Sequence, residues 1–334
     1  MLRLGINGLG RIGRLAFRVA ALRSDVEIIA VNDLNPKHLL IPLIERDSIY
    51  GRFAYDFDRV RWIHEEPMYQ AQCWDGVDIV LDSAGGSPDG AKARQHLQQG
   101  ARHVVISAPS ENVDAVLVMG VNEGNFRPEY RIISMASCTT NCVAPILKAL
   151  QPFDIASVWL DSINAYTNAQ RIVDAPHNDL RRARAAALNI IPTESSTGNS
   201  IFKLFPDLKQ KFGARAFRVP VACGSVISMS VQFSKIHTVD EVYDALRLYK
   251  VDYPQIMDVS LDPLVSSDII GDSHSCVIDY RSTVYDINTG TLHIMAWYDN
   301  ELAYATRLVD LASYIGQRSP LVRERYPVEM YEAP

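Results

Sequence analysis

Three glycines, Gly8, Gly10 and Gly13, constrain this chain more than any other feature. They follow an apolar alternation, Leu2, Leu4 and Ile6, and they open residues 11–22, whose apolar positions recur with a helical period. A strand that turns on glycines into a helix brings bare backbone close to a pyrophosphate and holds it at the helix N-terminus. The spacing alone fits a structural turn equally well. Asp33 strengthens the ligand reading, because it stands twenty residues beyond Gly13, after a second apolar stretch at 26–31. A carboxylate there accepts both ribose hydroxyls of a dinucleotide and repels a 2′-phosphate, which favours NAD over NADP.

The alternation continues. Apolar stretches at 78–82, 103–107 and 115–120, with a helical pattern over 90–99, carry it to about residue 136. Such a sequence folds as a mostly parallel, doubly wound sheet. Beyond it come longer β-rich segments at 156–166, 216–233, 275–280 and 292–298, with helices expected at 179–188, 239–249 and 301–315. The fold class is α/β: a Rossmann-type doubly wound sheet over residues 1–137, then an α+β domain with a large mixed or antiparallel sheet over 138–300. The helix near 301–316 is expected to pack back on the first domain, and 317–334 reads as a draped or mobile tail.

Bulk properties exclude several classes. A chain of 334 residues is long enough for two cores, and a net charge of −6 gives no reason to expect nucleic acid as a partner. The five cysteines are irregularly spaced, and none of Cys73, Cys223 and Cys276 sits in a CxxC pair. Neither a disulfide framework nor a metal site is expected. No apolar leader opens the chain and no apolar run approaches about 18 residues, so the reading is cytoplasmic, with no membrane.

Ser137-Cys138-Thr139-Thr140-Asn141-Cys142 lies where an extended stretch, 131–135, gives way to an apolar helical run at 143–150. A thiol at a helix N-terminus meets the positive end of the backbone dipole, which favours the thiolate. The reading therefore expects the Cys138 pKa below its free value. Hydroxyls at Ser137 and Thr139 add donors for an oxyanion or a phosphate. A buried structural cysteine is the plain alternative.

This segment resembles the nucleophile motif of the phosphorylating glyceraldehyde-3-phosphate dehydrogenase family, and the resemblance extends over about residues 2–316. Gly5-Ile6-Asn7-Gly8-Leu9-Gly10-Arg11-Ile12-Gly13-Arg14 is similar to the family opening, which implies that Arg11 and Ile12 line the pyrophosphate. Ser83-Ala84-Gly85 and Ser107-Ala108-Pro109 resemble cofactor-side loops. Trp297-Tyr298-Asp299-Asn300-Glu301 resembles the late signature, in which Asn300 orients the nicotinamide amide and Tyr304 packs beside the ring. The resemblance also implies a phosphate-holding pair in Thr167 and Arg218, and Arg182 near a bound phosphate. Arginine suits that task through its planar, bidentate donors. For the second phosphate, ungapped counting puts Ser195 and Ser196 at the family's Thr-Gly, whereas a two-residue shift brings in Thr197-Gly198. A homotetramer is implied as well.

Departures from the pattern are specific. Asn164 stands where the family expects the catalytic histidine, and asparagine accepts no proton near neutral pH. His177 matches the family's own helix-cap histidine, so it is not the substitute. Val221-Ala222-Cys223-Gly224-Ser225 replaces the usual Thr-Pro-Asn-Val-Ser, and the chain between Phe53 and Trp74 is short. The expectation is NAD-dependent oxidation of a small phosphorylated aldehyde through a Cys138 thioester, released by inorganic phosphate, with Asn164 in the catalytic pair. The alternative is a catalytically weakened paralogue that binds NAD and phosphometabolites as a sensor or assembly subunit.

Overall fold

A computed structural model of the chain describes residues 1–63, 73–85 and 89–323. The expected short segment between Phe53 and Trp74 lies partly outside these residues, as does most of the expected tail. The chain divides into two compact units, Met1–Ala136 with Ala305–Pro334, and Ser137–Tyr304.

The first unit begins β1 (Leu2–Asn7), α1 (Arg11–Ala21), β2 (Val26–Asn32), α2 (Lys37–Glu45), then a short hairpin of β3 (Arg46–Asp47) and β4 (Gly51–Arg52). It continues β5 (Arg61–Ile63), β6 (Ile79–Asp82), α3 (Gly90–Gln98), β7 (His103–Ile106), β8 (Ala115–Val116) and β9 (Ile132–Ser134). Seven strands pair in the order β5-β2-β1-β6-β7-β9-β8, all in parallel. Leu4, Ile6, Ile79, Leu81, Val104 and Val105 are fully buried, as strands covered on both faces require. The strand expected over 115–120 is only two residues long. Trp74 fills the space beside this sheet and donates its indole N–H to Nδ1 of His96 at 2.8 Å.

The second unit runs α4 (Cys138–Ala149), β10 (Ile155–Ala165), β11 (Ile191–Thr193), α5 (Thr197–Leu204), β12 (Phe212–Val219), β13 (Ser225–Phe233) and α6 (Val239–Asp252). It ends with β14 (Met257–Ser260), β15 (Cys276–Asp286) and β16 (Thr291–Tyr298), after which come α7 (Leu302–Arg318) and α8 (Pro320–Arg323). Its mixed sheet has the order β11-β12-β10-β13-β16-β15-β14. Alternate residues share a face, so Val158, Leu160, Ser162 and Asn164 form one buried row and Leu292, Ile294, Ala296 and Tyr298 another. The polar ends of those rows are Asn164 and Tyr298, which meet through a 2.8 Å hydrogen bond.

Two expectations for this unit are corrected. The apolar run 216–233 is two strands, because Pro220 ends β12 and Gly224 turns the chain at φ +85°, where a Cβ would stand 2.0 Å from the Ser266 carbonyl oxygen. No helix forms over 179–188. The segment folds back on residues 171–175 instead: the amides of Arg171 and Ala175 reach the carbonyls of Arg182 and Ala183, and Asp174 accepts the Ala185 amide at 2.8 Å. Tertiary bonding overrides the helical composition.

In the first unit His103 is fully buried between the Tyr130 carbonyl, 2.9 Å from Nδ1, and the Ser319 hydroxyl, 2.7 Å from Nε2. Burial lowers its pKa to about 4. Between that value and about 6.5 the unfolded chain binds the proton and the folded one does not, so stability falls as pH drops through this window. The expected loss is about 3 kcal/mol by pH 4. Urea midpoints at pH 7 and pH 4.5 should therefore converge more closely in His103→Gln than in the wild type; equal pH dependence in both proteins contradicts the assignment.

Candidate active site

In the first unit the glycine turn is sterically required. Gly8 has φ +85°, and a Cβ there would lie 2.4 Å from Cα of Ala84; a Cβ on Gly13 would lie 1.9 Å from the Gly8 carbonyl oxygen. Gly10 differs, with no atom within 4 Å of its Cβ position. It opens α1 without a side-chain cap, leaving backbone donors at the positive end of the helix. Beside the turn is a cleft of about 510 Å³ lined by Gly8, Gly10, Asp33 and the apolar side chains of Leu34, Leu39 and Leu43. Asp33 accepts the Leu9 amide at 2.6 Å through one oxygen and the Asn35 amide at 2.8 Å through the other, which fixes its carboxylate at the rim.

The cleft fits a dinucleotide: an open helix end for the pyrophosphate, a held carboxylate for the ribose, an apolar wall for the base. Ile12 lies in the first turn of α1. The Arg11 side chain pairs with Asp47. Ser83 and Ser107 follow β6 and β7, their amides bonded to the carbonyls of Asn7 and Asp82. The Ser83 hydroxyl is buried without a hydrogen-bond partner among the described residues.

In the second unit α4 starts at Cys138. Ser137 is its N-cap, extended in backbone, with Oγ accepting the Thr140 amide at 3.0 Å and lying 2.8 Å from the Thr140 hydroxyl. The Ser137 hydroxyl thus belongs to the cap. Thr139, one residue beyond the thiol, lies 3.0 Å from the Tyr298 hydroxyl, and Tyr298 donates to Oδ1 of Asn164 at 2.8 Å. Nδ2 of Asn164 turns inward to the Ser162 carbonyl and hydroxyl, both at 3.1 Å. Asn164 is therefore fixed at both ends of its amide. Arg218 is its register partner on β12 and donates to the Ala165 carbonyl at 2.8 Å.

The electrostatics correct the expectation for Cys138. Burial raises the thiol pKa, and this outweighs the lowering by the Arg218 charge and by bonds from the Thr139 and Cys138 amides and the Thr139 hydroxyl. Tyr298 and Tyr304 are buried and their phenols stay protonated well beyond the ordinary range, Tyr298 pushed further by Cys138 and Cys142 and Tyr304 by Cys138. Among the described residues no histidine acts on this thiol, and His177 is held in its own turn, accepting the Asp179 amide at 2.9 Å.

The remaining expected residues lie around this centre. Thr167 sits in the turn after β10, where its amide reaches Gln170 at 3.0 Å. Arg182 donates to the Thr193 hydroxyl at 2.6 Å on β11, whose Ile191 pairs with Arg218. Helix α5 begins at Thr197, with Gly198 in its first turn, Ser196 at its N-cap and Ser195 one residue further back, so Thr197-Gly198 rather than Ser195-Ser196 opens the helix. Asn300 accepts from the Ser225 hydroxyl at 2.9 Å. The motifs assign Tyr298 no role, because its bond to Asn164 joins strand ends 134 residues apart in the chain.

A parallel-sheet dinucleotide unit joined in one chain to a mixed-sheet unit with a helix-capped cysteine defines a Rossmann-type oxidoreductase build. Residues 2–89 match the model of the glyceraldehyde 3-phosphate dehydrogenase NAD binding domain, and residues 137–300 that of the glyceraldehyde 3-phosphate dehydrogenase C-terminal domain. Glyceraldehyde-3-phosphate dehydrogenase 2 of Streptomyces arenae is 43% identical over 330 residues, covering 94% of this chain and 98% of that protein. Glyceraldehyde-3-phosphate dehydrogenase of Geobacillus stearothermophilus is 40% identical over 331 residues, covering 95% and 98%. The chain belongs to the glyceraldehyde-3-phosphate dehydrogenase family.

Because the thiol is held protonated, its alkylation by iodoacetamide should rise about tenfold per pH unit through pH 8. The labelled residue is read by peptide mass spectrometry. A rate already flat above pH 6.5 contradicts this account.

Proposed function

We propose that the chain oxidises glyceraldehyde 3-phosphate with NAD, forming a thioester on Cys138 that inorganic phosphate releases. The observation that carries this reading is the grouping of Cys138, Thr139, Asn164, Tyr298 and Arg218 at the capped start of α4. Asp33 at the cleft rim supports NAD over NADP, since a 2′-phosphate would meet a carboxylate. Nothing in the site favours the sensor or assembly-subunit alternative.

The Cys138 sulfur, once deprotonated, attacks the aldehyde carbon to give a hemithioacetal. Amides at the start of α4 and the Thr139 hydroxyl favour negative charge at the sulfur and beside it. NAD, when bound, supplies the hydride acceptor. Asn164 orients the hydroxyls of Tyr298 and Thr139 and takes up no proton, so the proton of the hemithioacetal hydroxyl leaves to water. Phosphate then attacks the thioester carbonyl, the carbon–sulfur bond breaks, and the thiolate is restored. Arg218 and Thr167 hold the substrate phosphate, and Arg182 with the start of α5 the incoming one.

A homotetramer in the cytoplasm remains part of this proposal. Exposed Leu180, Leu188 and Ile190 in the folded-back loop support self-association. Among the described residues, no helix is long and apolar enough to cross a membrane.

The test is NADH formation from glyceraldehyde 3-phosphate with and without phosphate, beside Cys138→Ser. Sustained turnover only with phosphate, abolished in the variant, is the expected result; turnover by Cys138→Ser contradicts it. Asn164→His restores a titrating base, so its rate should exceed the wild type by about 10²-fold at pH 7 and level off above the imidazole pKa. A wild-type rate that already levels off below pH 7 would mean that another base acts.

A further inference from the structure

The Asn164 amide is held in one orientation by groups whose roles are fixed. Its Nδ2 faces the backbone carbonyls of Ser162 at 3.1 Å and Phe217 at 3.4 Å, and a carbonyl oxygen only accepts. Ser162 Oγ, also 3.1 Å from Nδ2, gives its own proton to the Arg215 carbonyl and so accepts as well. Oδ1 of Asn164 therefore faces the opposite way, toward the hydroxyls. The Tyr298 hydroxyl spends its one proton there, at 2.8 Å. Its oxygen, 3.0 Å from Thr139 Oγ, is left to accept, which makes Thr139 the donor of that pair. A longer approach of Thr139 Oγ to the same Oδ1, at 3.4 Å, has the same sense. The hydrogens thus run from Thr139 through Tyr298 to Asn164, away from Cys138.

We propose that Asn164 sets the direction of this chain, and that Asn164 and Tyr298 are positioning residues which turn the Thr139 hydroxyl proton away from the Cys138 sulfur. Thr139 has one such proton. Turned to the sulfur it favours the thiolate; spent on Tyr298 it leaves a lone pair beside the thiol. Thiolate formation with the help of that hydroxyl then costs the bond to Tyr298. With no acceptor at position 164 the chain can reverse, Tyr298 donating to Thr139 and Thr139 to the sulfur. The bearing on turnover rests on the reading of Cys138 as the nucleophile. Among the described residues, the other groups that act on this thiol or feel it are the Arg218 charge on β12, Cys142 on α4 and Tyr304 on α7, beside Tyr298 itself on β16. Burial keeps Cys142 and both phenols protonated well above their ordinary ranges, so they stay neutral while Cys138 titrates.

The test is the pH dependence of Cys138 alkylation by iodoacetamide, read by peptide mass spectrometry and needing no substrate. Asn164→Leu keeps a similar size and removes the terminal acceptor. It should move the profile down by about half a pH unit, so that labelling at pH 7 quickens about threefold. Desolvation has the opposite sign, since a more apolar neighbour raises a thiol pKa and slows the label. In a Thr139→Val background there is no hydroxyl proton to turn, and Asn164→Leu should then bring no quickening. A failure to quicken with Thr139 present, or an equal quickening in both backgrounds, overturns the proposal. Tyr298→Phe removes the nearer acceptor of the Thr139 proton. It should quicken labelling in the same Thr139-dependent way, and it carries the test where Asn164→Leu does not fold. A protein that turns over with no acyl group on Cys138 would sink the reaction assigned to that residue and leave the labelling result standing, so the two readings fail separately.

Discussion

The cap on α4 is the interaction on which the site depends. Ser137 Oγ accepts the Thr140 amide, and the preceding Ala136 adopts φ +58°, a left-handed conformation that costs a residue with a Cβ about 1–2 kcal/mol. The helix can therefore begin at the thiol itself. Were the helix to start one turn later, Cys138 would lose its amides and Thr139 would leave the Tyr298 hydroxyl. The same turn sets Asn141, whose amide and Nδ2 both return to the Ser137 carbonyl.

Around this start the polar groups are arranged to hold hydrogens rather than to exchange them. The Tyr298 phenol donates to Asn164, Asn164 donates inward to Ser162, and burial keeps both Tyr298 and Cys138 protonated. A helix dipole is worth about 0.3–1 kcal/mol at an exposed site, and up to about 2 when partly buried. Desolvation of a thiolate can exceed that, which is why position at a helix start did not by itself lower the Cys138 pKa. The imidazolium that would tip the balance is absent from position 164. On the proposed mechanism, chemistry at this cysteine follows pH through the thiol.

Much of the architecture was legible from periodicity. The strands ending at Asn7, Asn32 and Asp82 announced themselves as apolar stretches, and Gly8 and Gly13 marked a turn that only glycine fits. What escaped was set by tertiary contacts. Helix α2 carries Pro42 within it, and its apolar residues Leu39 and Leu43 face the cleft, so neither a clean helical stripe nor a break-free segment was there to read. Residues 179–188 have helix-forming composition, yet Asp174 and Asp179 draw their amides and arginines into turns. At the site, Cys138, Asn164 and Arg218 could be named from motifs. The linkage of Thr139 and Asn164 through Tyr298 could not, because these residues are separated in the chain and meet only when two strand ends reach the start of α4.

The central claim is that Cys138 carries the acyl group. Rapid acid quench of the protein mixed with NAD and glyceraldehyde 3-phosphate, without inorganic phosphate, followed by peptide mass spectrometry, tests it most directly. The account predicts a phosphoglyceroyl adduct on the peptide containing Cys138, in proportion to the NADH formed and discharged when phosphate is added. NADH formed without that adduct, or an adduct confined to Cys142, Cys223 or another cysteine, would contradict it.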